Sequence, residues 1–280
     1  MTRPKAPGLF ARLSGEGPSV LLLHGQPGSI ESWDKVAALL EADHRVVVPD
    51  RPGYGQSGGE AESMAGNARL LATFLEEGDL APATVVAHSW AGGPAVLLAA
   101  ERPDLVSGLI LVGAACTSDS IDDIDRWLVR PVLGKMLTVA GLVVFGEVLP
   151  VVRRFVPRLP ERFRDTLLVA LPDESLLGGW RRSLGRRGTL ARHVAVFMKE
   201  QRALLDELDL VSGRLGGITV PTIVVTGRSD LVVRPAAART LAASIPGATL
   251  EEVEGAGHFV ARDNPAVLAR AVRSLPATGA

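Results

Sequence analysis

The chain has 280 residues, 47% of them hydrophobic and 22% charged, the balance of a globular protein with a substantial core. Lys plus Arg number 30 and Asp plus Glu 31, a formal net charge of −1. That excludes a chain that blankets nucleic acid by releasing counterions and a highly charged disordered one. The 1 cysteine, Cys116, excludes an internal disulfide and a thiolate zinc cluster.

The segment Met1 to Arg12 holds two prolines and a glycine and lacks the apolar core of a signal peptide, so a cytoplasmic location is the expectation. Val20 to Leu23 is a continuous apolar run ending in His-Gly, as a strand buried on both faces reads. Trp33, Val36, Ala37 and Leu40 then recur at helical spacing within Glu31 to Leu40. Val46 to Val48 is the next strand, closed by Pro49, and Met64 to Leu75 the next helix. Thr84 to Val86 is a third strand, Trp90 to Ala100 a small-residue helix, and Leu109 to Val112 a fourth strand. The alternation predicts a mostly parallel, doubly wound sheet with helices on both faces.

The rhythm stops at Cys116. From Thr117 to about Leu215 no strand is predicted, and Pro131, Pro150, Pro157, Pro160 and Pro172 divide the segment into short helices. Its most apolar stretch, Met136 to Val152, is broken by Gly141, Gly146, Glu147 and Pro150, short of the roughly 20 residues a membrane span needs. Alternation resumes with a strand at Thr222 to Val225, a helix at Pro235 to Ile245 and a strand at Thr249 to Val253. Asn264 as N-cap and Pro265 at the first helical position open a last helix. The expected organisation is a core in two parts, 1–116 and 216–280, interrupted by an all-helical insert, 117–215.

The strongest chemical signal is Ala87-His88-Ser89-Trp90-Ala91-Gly92-Gly93, between a predicted strand and a predicted helix. A serine at such a turn stands clear of the sheet, and crowding there requires small residues two before and two after it, here Ala87 and Ala91. The Trp90 N–H would point at an oxyanion forming on a substrate carbonyl. A serine hydroxyl needs a general base. Of five histidines, His258 lies in the glycine-loosened loop Gly255-Ala256-Gly257-His258-Phe259 after the last strand, where it can reach the sheet's carboxyl edge. His44 reads as a surface helix end and His193 as part of the insert. His88 is expected to turn away from the site and His24 to support its own loop. The base needs a carboxylate. Asp230, just past the strand Thr222 to Val225, is the first candidate, with Asp119 its rival and Asp263 read as part of the last helix's start. The loop His24-Gly25-Gln26-Pro27-Gly28, stiffened by Pro27, offers the Gln26 N–H as a second oxyanion donor.

These pieces, with Asp50-Arg51-Pro52-Gly53-Tyr54-Gly55-Gln56-Ser57, Gly227-Arg228-Ser229-Asp230 and Gly257-His258-Phe259, resemble the α/β-hydrolase fold in order and across nearly the whole chain. The resemblance implies Ser89 as nucleophile, Asp230 as acid and His258 as base. It also implies backbone oxyanion donors at Gln26 and Trp90, a helical cap in the insert, and no metal or cofactor. The family usually has glycine where Ala87 and Ala91 stand, so each position carries one extra methyl. Haloalkane dehalogenases and epoxide hydrolases of this architecture use aspartate at the elbow, which Ser89 does not match. The expected function is hydrolysis of a small, apolar carboxylic ester. C–C, lactone or thioester hydrolysis and peracid formation are alternatives on the same residues, and a ligand receptor or a cofactor-free oxygenase are readings from other classes.

The expected partner is a small-molecule substrate, not nucleic acid or membrane. Phe145, Phe155, Phe163 and Trp180 are the candidate lining of an apolar pocket. The run Gly53 to Gly58 fits G-x-G-x-x-G, but Pro49 to Pro52 separates it from the strand, against a dinucleotide site. The arginines Arg181, Arg182, Arg186 and Arg187 read as a solvated face.

Overall fold

A computed structural model describes residues 9–57, 59–144, 151–152, 155–158 and 189–275. Seven strands form one sheet: β1 (Ala11–Ser14), β2 (Ser19–Leu23), β3 (Arg45–Pro49), β4 (Ala83–His88), β5 (Val106–Val112), β6 (Thr222–Gly227) and β7 (Thr249–Val253). Their order is β1-β3-β2-β4-β5-β6-β7. All neighbours are parallel except β1, which pairs antiparallel with β3. The six strands expected from apolar runs are all present. The seventh, β1, was not expected. Its sequence is Ala-Arg-Leu-Ser, three of whose residues are only half-buried, so it lacks the run that marks a strand buried on both faces.

The strand side chains sort by period two into two cores. Leu21, Leu23, Val85, Ala87, Leu109 and Leu111 face α2 (Met64–Glu77) and α3 (Gly92–Glu101). Val20, Leu22, Val86, Ile110 and Val112 face α1 (Asp34–Leu40) and α10 (Pro265–Ser274). Two predicted helices start differently from expectation. Ile30–Trp33 and Ser89–Ala91 are single 3₁₀ turns that lead into α1 and α3. Pro265 does open α10, but Asn264 makes no side-chain capping bond.

Between β5 and β6 the described residues form helices and turns and no strand. They include α4 (Asp123–Leu128), α5 (Leu133–Val143), α6 (Thr189–Asp206) and α7 (Leu208–Ser212). The later part of this segment is not detached from the sheet. Ala203, Leu204, Val211 and Leu215 join the same core as α2 and α3. The chain then continues through β6, α8 (Pro235–Ser244), β7 and the short α9 (Val260–Asp263). Among the described residues no helix is long and apolar enough to cross a membrane. Phe145, Phe163, Trp180 and the four arginines at 181, 182, 186 and 187 lie outside the described residues. Phe155 is described and stands 55% exposed.

Candidate active site

Parallel strands deliver their outgoing loops to one edge, so residues just past β2, β4, β6 and β7 can meet there. Ser89 follows β4 directly and has φ +56°. That left-handed angle is costly for a residue with a Cβ, and it persists only where the surroundings impose it. The flanking Ala87 and Ala91 are fully buried, so the turn forms with alanine at both small positions. The loop after β2 runs against it. A Cβ on Gly25 would stand 2.9 Å from both Ser89 Cβ and His88 Nδ1, which only glycine avoids.

His258 and Asp230 converge on this serine. His258 Nε2 lies 3.1 Å from Ser89 Oγ, and its Nδ1 lies 2.8 Å from Asp230 Oδ2. The other oxygen, Asp230 Oδ1, accepts from the N–H groups of Val232 at 2.8 Å and Val233 at 2.9 Å. An ionised carboxylate is acceptor-only, so His258 Nδ1 is the donor and Nε2 is left to accept the serine proton. All three side chains are nearly buried. The rival carboxylates are occupied elsewhere. Asp119 accepts from Thr240 Oγ1 at 2.7 Å. Asp263 accepts from the Gly257 N–H at 3.0 Å and pairs with Arg262, bracing the loop that carries His258.

His88 does not turn away from the site as expected. Side-chain alternation sends it to the same sheet face as Val86, under the loop between β7 and α9. Its ring centroid is 4.6 Å from that of His258, and its Nε2–H donates to the His258 carbonyl at 2.9 Å. Burial, and next the neighbouring His258, pull the His88 ring down to about 3, so it stays neutral and holds its donor. His24 is a second neutral imidazole. Its Nδ1–H donates to the Gly25 carbonyl at 3.0 Å, and its Nε2 accepts from the Arg51 N–H at 3.0 Å. Burial first, then the Arg51 charge, hold it well below the ordinary imidazole value. Cys116 is buried, and burial pushes its thiol up to about 12.

A fully buried polar cluster behind the loop was not anticipated. Arg51 Nε donates to the His24 carbonyl at 2.8 Å and its Nη2 to the Gly25 carbonyl at 2.9 Å. Its Nη1 pairs with Glu200 of α6, and Tyr54 Oη donates to Glu200 Oε2 at 2.6 Å. The guanidinium sits 4.5 Å from the Trp90 ring and 4.9 Å from that of Tyr54, within reach of favourable cation–π attraction. Burial pushes the Glu200 carboxyl upward, opposed by Arg51. Burial and then Glu200 push the Tyr54 phenol well above its ordinary value. Arg51 and Tyr54 lie in a motif that carried the family resemblance but had no assigned role. Glu200 gave no signal, because a glutamate in an amphipathic helix reads as solvated. Among the described residues no three His, Cys, Asp or Glu side chains are grouped to hold a metal ion.

A family model described as alpha/beta hydrolase fold matches residues 18–265. The chain is 26% identical over 284 residues to a haloalkane dehalogenase of Mesorhizobium japonicum, covering 95% of this chain and 86% of the relative. It is 28% identical over 253 residues to a 2-hydroxy-6-oxononadienedioate/2-hydroxy-6-oxononatrienedioate hydrolase of Cupriavidus pinatubonensis, covering 86% and 80%. A solved thermophilic esterase from Thermogutta terrifontis superposes with a TM-score of 0.69 at 23% identity, over 98% of this chain and 95% of that one. At that identity the likeness speaks for the fold.

Proposed function

The chain belongs to the alpha/beta hydrolase fold family, and on that premise we propose that it is a serine hydrolase cleaving a small, apolar carboxylic ester. Ser89 Oγ attacks the ester carbonyl while His258 Nε2 takes its proton. The carbonyl π electrons move onto oxygen, and the N–H groups of Gln26 and Trp90 receive that oxyanion. The intermediate collapses, the C–O bond to the alcohol breaks, and His258 returns the proton to the leaving alcohol. Water then attacks the acyl group on Ser89 with His258 again as base, releasing the acid and restoring the serine. Asp230 keeps His258 in the Nδ1–H tautomer and stabilises the imidazolium. These steps need only protein groups and water.

The observation that carries the reading is the hydrogen-bonded sequence Ser89 Oγ, His258, Asp230 at 3.1 and 2.8 Å, with the serine on a strained turn at φ +56°. The same serine argues against halide displacement despite the dehalogenase relative. Attack by a hydroxyl on an alkyl halide would leave an ether, which has no carbonyl for water to open. The segment 117–215 serves as the helical cap over the core halves 1–116 and 216–280. The Leu- and Val-rich composition of that segment favours an apolar substrate.

The test is labelling by a fluorophosphonate together with p-nitrophenyl acetate hydrolysis. The expected result is label on Ser89 and turnover that Ser89→Ala abolishes. Label without turnover across a panel of esters, lactones, thioesters and vinylogous diketones would instead indicate a receptor. Turnover confined to the diketones would move the reaction to C–C cleavage.

A further inference from the structure

The two residues whose N–H groups receive the oxyanion in the reading above are both held, by their side chains, to one turn of α6. Gln26 Nε2 donates to the Phe197 carbonyl at 2.7 Å. Trp90 Nε1 donates to the Glu200 carbonyl at 2.9 Å. The Glu200 carboxylate, 0% exposed, then holds Arg51, which is 1% exposed, and Arg51 holds the carbonyls of His24 and Gly25. One buried device of the insert therefore reaches both sides of the serine.

The Gly25 carbonyl shows what the device does. It shares a planar peptide with the Gln26 N–H, and in a trans peptide the C=O and N–H point in opposite directions. Arg51 Nη2 draws this carbonyl inward at 2.9 Å, with His24 Nδ1 on the same oxygen at 3.0 Å. The Gln26 N–H is thereby turned away from the buried arginine, on a loop whose backbone already abuts Ser89 Cβ. Glu200 fixes the arginine with two oxygens, and a planar bidentate pair leaves the guanidinium little freedom to tilt.

We propose that Arg51 and Glu200 are positioning residues that aim the oxyanion donors of Gln26 and Trp90, making this turn of α6 a fixed wall of the catalytic site. The inference rests on the serine-hydrolase reading and adds a role for the insert in the transition state as well as in substrate choice. A buried ion pair behind a loop could instead serve stability alone. The two roles differ in what they affect. An aiming device changes affinity for the oxyanion and leaves ground-state binding unchanged, whereas a loosened scaffold weakens both.

The experiment uses the full chain with Glu200→Gln, Arg51→Lys and Gln26→Leu. Glu200→Gln keeps the size and the Tyr54 contact but removes the charge. Gln26→Leu cuts only the half-buried tether to Phe197 and keeps folding safe if the buried variants fail to fold. The readouts are kcat and KM for p-nitrophenyl acetate, the fluorophosphonate labelling rate, and affinities for a trifluoromethyl ketone and for p-nitrobenzyl alcohol, a neutral ligand without a carbonyl. Ser89 Oγ adds to that ketone and passes its proton to His258, so the bound hemiketal carries the oxyanion. Complete loss of one oxyanion donor costs about 10²–10³-fold. A misaimed donor is therefore expected to lower kcat, labelling and ketone affinity together by about tenfold, with KM and alcohol affinity within about twofold. Folded variants with wild-type kcat and ketone affinity, or equal losses for ketone and alcohol, would overturn the positioning role, while labelling and turnover by the wild-type protein keep the hydrolase reading. A wild-type protein that neither labels nor turns over would overturn both.

Discussion

Ser89 concentrates the cost of this site in one residue. Its φ of +56° brings its Cβ toward the neighbouring backbone, an arrangement worth about 1–2 kcal/mol for a residue other than glycine. Glycine removes that strain but adds about 0.5–1 kcal/mol of backbone entropy to the unfolded chain. Both Ser89→Gly and Ser89→Ala lack the hydroxyl, so they differ chiefly by the methyl at the strained position. Urea unfolding is expected to place Ser89→Gly above Ser89→Ala by up to about 1 kcal/mol, with both inactive. The reverse order would mean that the turn is not strained. The alanines at 87 and 91 show that the extra methyls are accommodated, since the turn is reached with both fully buried.

At the scale of elements, the site depends on four loops leaving parallel strands at one edge, and β6 shows how closely they approach. Gly227 ends β6 three residues before Asp230. A Cβ there would lie 2.2 Å from the Gly257 carbonyl and 2.4 Å from that of Ala256. Both are backbone atoms of the His258 loop, so no side-chain rotation relieves the overlap. Gly227→Ala is expected to cost about 3 kcal/mol of stability and to separate Asp230 from His258. Thermal melting and p-nitrophenyl acetate assays check both effects. A variant with unchanged melting and full turnover would show that the loop yields freely. The edge strand β1 contributes nothing to this geometry, which fits its half-exposed mixed sequence.

For the whole molecule, two imidazoles kept neutral by burial make stability depend on pH. His88 falls from an ordinary 6.5 to about 3, and His24 also lies well below 6.5. Unfolding returns both to water. Below pH 6.5 the unfolded chain therefore binds protons that the folded one refuses, and stability falls with falling pH. The contribution is complete above about pH 6.5 and declines through the acid range toward the folded value. For His88 alone the loss by pH 5 is about 2 kcal/mol. Urea unfolding at pH 7 and pH 5 measures it. His88→Gln, whose side-chain N–H replaces the imidazole donor, is expected to shrink the difference by about that amount. An unchanged difference would place the sensitivity elsewhere.

The sequence by itself determined the alternating strands and helices, the six parallel strands and their turns, and which serine, histidine and aspartate were candidates. Those features are local. An apolar run, a glycine-rich loop or a small-x-Ser-x-small turn carries its signal within a few residues. Tertiary structure decided what lies far apart in the chain. It chose among Asp230, Asp119 and Asp263 for the contact with His258, brought His88 beside that imidazole, and buried Glu200 against Arg51, 149 residues away. No local pattern distinguishes a buried glutamate from a solvated one on the same helix. Only the fold, which sets Arg51 and Tyr54 against this glutamate, accounts for its burial.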